Sequence, residues 1–295
     1  RQSTVERRIV DELARSATLP SPDYTDLIEQ TRGFLKDHPE SPHRAEAERL
    51  LAGFVKTVDD RQFERARQFS RDFPTNYQAR IEKYQDYLKS HESGGLHTSE
   101  AREAKDRILR EWDDDAYRVA HDLYTNHPDD VEGVAARLRD YLQGHPDGRH
   151  AAAARGFLAW WDKVTVPGQY KITLLRGEFD PAVGKYWSGG APDLSVTIEV
   201  GGKAYGPSPT IVNSHRPVWR YTFPEPVVWK LGDPVSVKVT DHDWSDSTVA
   251  VLNSRPGEPL AIRMLGGTIK PSKGGPTTLV FASDFKMPVL PKPGE

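Results

Sequence analysis

Val235-Ser236-Val237-Lys238-Val239-Thr240-Asp241-His242-Asp243 decides the reading of the C-terminal part of the chain. Apolar and polar residues alternate through it, the period of a strand with one buried face. Two aspartates then stand two positions apart where the strand runs out. The same alternation marks Leu194-Ser195-Val196-Thr197-Ile198-Glu199-Val200, which ends in the turn Gly201-Gly202. Further strands are expected at Tyr170–Leu175, Lys203–Tyr205, Val218–Phe223, Val227–Trp229, Leu260–Leu265 and Thr277–Ala282. Strands this short and this closely spaced predict an antiparallel, eight-stranded β-sandwich over residues 166–285.

Glycine and proline separate this region from what precedes it. Of 23 glycines and 23 prolines, 15 and 16 fall after residue 165. Both types disfavour helix, so the C-terminal stretch reads as all-β and the first 165 residues are free to be helical. The change falls at Thr165-Val166-Pro167-Gly168. The expected organisation is a multidomain α plus β chain: a helical domain at 1–165, the sandwich at 166–285 and an extended proline-rich tail at 286–295. Trp160-Trp161, just before the change, are expected to pack between the domains.

Across 295 residues the net charge is −3, without the strongly basic face that nucleic acid needs. There is no cysteine, hence no disulfide, thiolate metal site or thiol nucleophile. No run of 18 apolar residues predicts a transmembrane helix. The chain opens at Arg1 without a signal segment and reads as a piece of something longer. The compartment stays open, between a soluble fragment, a peripheral membrane protein and part of a membrane-anchored one.

The helical part repeats with a period of about 54 residues. Phe34-Leu35-Lys36-Asp37-His38-Pro39, Tyr87-Leu88-Lys89-Ser90-His91 and Tyr141-Leu142-Gln143-Gly144-His145-Pro146 are equivalent helix ends. An alanine-rich amphipathic run follows each: Ala45–Phe54, Ala101–Trp112 and Ala151–Trp161. A further helix precedes each pair, at Val5–Ala17, Gln62–Phe73 and Ala116–Asn126. That predicts nine helices in three units, an α-solenoid with a face for a protein partner. The Tyr-Leu-x-x-His-Pro turn resembles that of tetratricopeptide-like repeats, although the 34-residue period of that family is absent. The recurring pairs His38/His43, His91/His97 and His145/His150 occupy equivalent turns, which favours packing and capping over metal binding.

Three stretches of the β region resemble the C2-type calcium- and lipid-binding domain. They are Ala191-Pro192-Asp193-Leu194-Ser195-Val196, Arg216-Pro217-Val218-Trp219-Arg220-Tyr221-Thr222-Phe223, and the Val235–Asp243 stretch. The resemblance implies calcium held by loop aspartates at one end of the sandwich, because calcium takes six to eight oxygen ligands. Carried over position by position, Asp241 and Asp243 match the first two aspartates of one loop and Asp246 the third, though it comes early. Asp193 matches the other loop, and Asp180 is its candidate partner across an unusually long separation. The same aspartates could instead cap turns, a common use of the residue. Tyr186, Trp187 and Trp244 lie in the same loops and are candidates for contact with an anionic membrane surface or a protein. No phosphate loop, dinucleotide fingerprint or Gly-x-Ser-x-Gly elbow is present, so no enzyme activity is expected. The expected function is a non-catalytic adaptor, with calcium-independent interaction as the alternative.

Overall fold

A computed structural model describes residues 2–92, 94–182, 190–242, 246–254, 260–270 and 277–294, with the backbone alone at Gln2, Ala261 and Ile262. The protein has a helical N-terminal region and an antiparallel sheet region after it. It divides into two compact units, Arg1–Trp112 and Asp113–Glu295.

Up to residue 164 the described chain forms α1 (Gln2–Ser16), α2 (Tyr24–Asp37), α3 (Arg44–Asp72), α4 (Tyr77–Ser90), α5 (Thr98–Asn126), α6 (Val131–Gly144) and α7 (Ala151–Val164). These are seven helices where nine are expected. Ala45–Phe54 and Gln62–Phe73 fuse into α3, and Ala101–Trp112 and Ala116–Asn126 fuse into α5. No glycine or proline interrupts residues 54–73 or 101–126, so nothing stops either helix from running through. The short helices start on side-chain caps at matching positions. Asp23 accepts from the amides of Thr25 and Asp26, Asn76 from Ala79, and Asp130 from Gly133. His38, His91 and His145 end α2, α4 and α6.

A buried carboxylate holds each of the turns that follow α2, α4 and α6. In the first unit Asp59, 3% exposed in the middle of α3, accepts from the Tyr87 hydroxyl and the Leu96 amide. Its neighbour Asp60 meets His97 Nε2 at 2.9 Å, and the His97 ring stacks on Phe63 at 4.5 Å. In the second unit Asp113 accepts from the Tyr141 hydroxyl (2.7 Å) and the Arg149 amide (2.9 Å). Asp114 meets His150 Nε2 at 2.7 Å, and His150 stacks on Tyr117 at 4.1 Å. The same five-residue device thus recurs 54 positions on. At the chain's start Glu6 takes the acidic place, accepting from the Ser41 hydroxyl at 2.9 Å and lying 3.4 Å from His38. Burial, with the Asp59 carboxylate close by, pushes the Tyr87 phenol up to about 12.

The sheet region lies in the second unit. It contains β1 (Gly168–Tyr170), β2 (Ile172–Glu178), β3 (Leu194–Val200), β4 (Lys203–Tyr205), β5 (Val218–Thr222), β6 (Val227–Trp229), β7 (Val235–Asp241), β8 (Ser247–Asn253), β9 (Gly267–Ile269) and β10 (Thr278–Ser283). Two four-stranded sheets have the orders β5-β2-β10-β9 and β4-β3-β7-β8, and β1 pairs with β6 apart from them. All these pairings are antiparallel. Gly201 and Gly202 supply the positive φ values (+56° and +85°) of the β3–β4 hairpin. Leu260–Leu265 is a short helical segment, α8, and not the expected strand. Leu260, Arg263, Met264 and Leu265 have positive φ values of +31° to +47°, outside the extended region of a strand. Leu194, Val196, Ile198, Val235, Val237 and Val239 line one face of β3 and β7 and bury almost completely. Each contributes about 1.5–3 kcal/mol by leaving water. They join Leu174, Trp229, Leu279 and Phe281 in one cluster that continues into Phe157, Leu138 and Tyr117 of the last three helices. Trp160 and Trp161 pack against this cluster, with Trp160 6.1 Å from Phe285.

Asp113→Ala should strip two buried donors of their acceptor and lower stability by about 1–3 kcal/mol, read from the urea midpoint. The Asp60–His97 pair makes a pH-dependent contribution. A hydrogen bond from Lys56, and then one from His97, holds Asp60 below 3.8, while hydrogen bonds to Asp60 and then Glu100 raise His97 above 6.5. The Asp60 part is present above pH 3.8 and lost as pH falls through its lowered value. The His97 part is full below pH 6.5 and lost as pH rises through its raised value. The urea midpoint should therefore decline on the alkaline side of pH 6.5, and Asp60→Asn should flatten that decline.

Candidate functional site: the β3–β7 end of the sheet

The register of β3 on β7 places Leu194 opposite Asp241, so Asp193 stands beside Asp241 at the end of the pair. Asp241 is 6% exposed, and its Oδ1 accepts from the Asp193 amide at 3.0 Å. The Asp193 carbonyl accepts in turn from the His242 amide at 2.9 Å. A third segment closes on the same point. Ile211 and Leu194 exchange both backbone hydrogen bonds, and the Ser214 amide donates to the Pro192 carbonyl at 3.0 Å. Asn213, at φ +53°, donates its amide to Asp193 Oδ1 (2.6 Å) and accepts from the Ala191 amide through its side chain (3.1 Å). Three chain segments therefore meet at two carboxylates.

The other sequence-derived candidates are placed differently. His242 Nδ1 meets Asp246 Oδ1 at 2.7 Å, and its Nε2 meets the buried Ser195 hydroxyl at 2.8 Å. Asp246 is thereby tied to an imidazole. Asp180 accepts from the Ala182 amide at 2.7 Å, which closes its own turn. Asp243, Trp244, Tyr186 and Trp187 lie outside the described residues. Of the expected ligand set, Asp193 and Asp241 are the pair brought together. Sequence reading missed Asn213, His242 and Ser195. The Asp-His-Asp spacing at 241–243 was the available signal for His242; nothing local marked Asn213, whose role depends on a chain segment 20 residues from Asp193.

Ser195, His242 and Asp246 have the order of a hydrolytic triad. Ser195, the second residue of β3, is 2% exposed and faces Thr240 of β7. A hydroxyl so covered cannot meet a substrate carbonyl, so the chain of bonds works as a brace on the segment leaving β7. Among the described residues one group of three, Asp113, Asp114 and His150, places its ligand atoms within 4.8 Å of one another. Its oxygens and imidazole are engaged with Tyr141, Arg149 and each other, in the turn device that Asp59, Asp60 and His97 repeat.

No family model matches the chain, and no curated protein matches it. Among solved structures, part of the chain is similar to the paired C2 domains of Extended-Synaptotagmin 2, at 18% identity and TM-score 0.33, covering 41% of this chain and 42% of that one. A structure described as a C2 domain is similar at 18% identity and TM-score 0.29, covering 39% of this chain and 96% of that one. Human GIVD cytosolic phospholipase A2 is similar at 16% identity and TM-score 0.29, covering 40% and 16%. This chain thus spans less than half the length of the Extended-Synaptotagmin 2 chain.

The hydrogen bonds rank the aspartates. Asp241→Ala should cost about 1–3 kcal/mol, because the Asp193 amide loses its acceptor in a buried setting. Asp246→Ala, at an exposed pair with His242, should cost about 0–1 kcal/mol. Urea unfolding of the two variants checks the order.

Proposed function

We propose that the chain is a non-catalytic adaptor with a C2-like module at its sheet end and a protein-binding helical face. The observation that carries this reading is the juxtaposition of Asp193 and Asp241 where three chain segments converge. Carboxylates are the hard oxygen donors calcium selects, and two on neighbouring strands suit a bridging ion. Asp193 and Asp241 would hold it; Asp243, next but one along the chain, is the natural third ligand. A bound calcium ion would neutralise this end of the sheet and let it approach anionic headgroups. The chain's part is to hold the two carboxylates in place through the Asn213 and Asp193 amides. No described helix is long and apolar enough to cross a membrane. Attachment to a bilayer through the described residues would therefore be peripheral.

Asp246 and His242 favour a second reading. Asp246 is engaged with His242, and both Asp193 and Asp241 already accept backbone amides. A site whose carboxylates are satisfied in this way can serve as a rigid, calcium-independent contact surface for a protein.

Calorimetric titration of the full chain with calcium separates the two. Saturable heat in the range of about 10⁻⁴–10⁻³ M, abolished by Asp241→Asn and kept by Asp246→Asn, is the expected result. Co-sedimentation with phosphatidylserine vesicles should then require calcium and be lost in chelator. Absence of heat up to millimolar calcium would retire the calcium reading and leave the protein-contact reading.

A further inference from the structure

The tail after β10 has no helix or strand, yet it is held in place. The Tyr124 hydroxyl donates to the Pro288 carbonyl and the Tyr117 hydroxyl to the Pro291 carbonyl, each at 3.1 Å. Tyr117 and Tyr124 are seven residues apart on α5, which is two turns along one face and about 10.5 Å of rise. Two carbonyls three residues apart in a polyproline II segment are separated by about 9.3 Å. The two spacings agree to about an ångström. The tail's exposure has the same period of three. Lys286, Val289 and Lys292 are exposed, while Phe285 and Leu290 are buried and Met287, Pro288, Pro291 and Pro293 are partly covered. Leu290 is 3% exposed and Val289 beside it 82%. Proline fixes φ at 288, 291 and 293 and restricts the residue before each, so the extended form is largely set in advance.

The receiving face is apolar and aromatic. Leu123 and Tyr124 of α5, and Leu158, Trp160 and Trp161 of α7, belong to the cluster that takes in Leu290. The tyrosine pair is a departure from the helical repeat. Fifty-four residues earlier the chain has Phe63 and Ser70; Phe63 has no hydroxyl, and Ser70 accepts from Arg80 Nε. The repeat folds without the two hydroxyls, so packing of the helices does not account for them.

We propose that this face of α5 and α7 is a receptor for extended proline-rich segments of the P-x-x-P type. It is filled in this chain by Pro288-Val289-Leu290-Pro291, and a P-x-x-P segment of a partner protein takes the same place when the tail lifts. The recognition is that of other polyproline readers: an aromatic-lined groove, donors to backbone carbonyls, and a ligand that loses little entropy on binding. This specifies the partner for the helical-face part of the reading above and is independent of calcium.

The test uses a fluorescein-labelled peptide of the sequence Lys286–Gly294 and fluorescence anisotropy. The 295-residue chain carrying Pro288→Gly, Leu290→Asp and Pro291→Gly, which frees its tail, should bind the peptide at least about tenfold tighter than the unmodified chain. The difference arises because a tethered tail competes at an effective concentration in the millimolar range. Adding Tyr117→Phe and Tyr124→Phe should remove the gain, and a peptide with the prolines replaced by alanine should not bind. A freed-tail protein that still unfolds cooperatively in urea and binds no peptide overturns the proposal. Should that variant not fold, NMR on the unmodified chain decides: the peptide at several millimolar, spin-labelled at its Val289 position, must broaden the Leu123 and Tyr124 amide signals, and unchanged signals equally overturn it.

Discussion

β3 and β7 pair over seven consecutive positions, and that register determines what the end of the sheet can do. Side chains alternate between faces, so a slip by one residue would turn Val196, Ile198, Val237 and Val239 out of the core. The buried valines therefore fix the register, and the register places Asp193 against Asp241. The aspartates themselves supply little of that ordering. The Asp193 amide reaches the Asp241 carboxylate because apolar side chains several residues away hold the two strand ends side by side. The Ile211–Leu194 bridge then brings Asn213 to the same point.

The helical part rests on a different constraint. A helix end leaves backbone groups without partners, and a turn between helices must satisfy them or leave them in water. At two of the turns one buried carboxylate takes a tyrosine hydroxyl and a backbone amide together, and the acidic residue next to it orients a histidine that stacks on an aromatic ring. Asp59 and Asp113 do this from the middle of long helices. A buried aspartate in a helix interior looks costly in isolation. Its position becomes intelligible once the turn it supports, some 30 residues further on, is considered with it.

Local patterns in the sequence were sufficient for the features that depend on local physics. The alternation in Leu194–Val200 and Val235–Asp241, the Gly201-Gly202 turn, and the aromatic-Leu-x-x-His ends of α2, α4 and α6 all correspond to elements at those places. The fusion of helices into α3 and α5 was less legible, although no glycine or proline stops a helix at residues 54–73 or 101–126. Of the site, Asp193 and Asp241 were named through the resemblance of their stretches to C2-type motifs. The bond from His242 to Asp246, and from Asn213 to Asp193, depends on how loops fold back across the sheet end. No spacing rule encodes that.

The tail and the tryptophans show why a boundary in composition need not be a boundary in packing. Glycine and proline mark where helix gives way to strand, near residue 165. Phe285 nevertheless packs its ring against Trp160 of α7 and against Tyr170 and Trp229 of the β1–β6 ribbon, at 5.5–6.1 Å. The Leu231 amide donates to the Val164 carbonyl at 2.7 Å, and Leu290 completes the same cluster. Cutting the chain at residue 165 would expose Trp229 and Phe285, two of the larger apolar surfaces in the unit, each worth about 1.5–3 kcal/mol or more of burial. The last helices, the sheets and the tail consequently behave as one folded body. An event that lifts the tail from Tyr117 and Tyr124 therefore also acts on the residues that join helix to sheet.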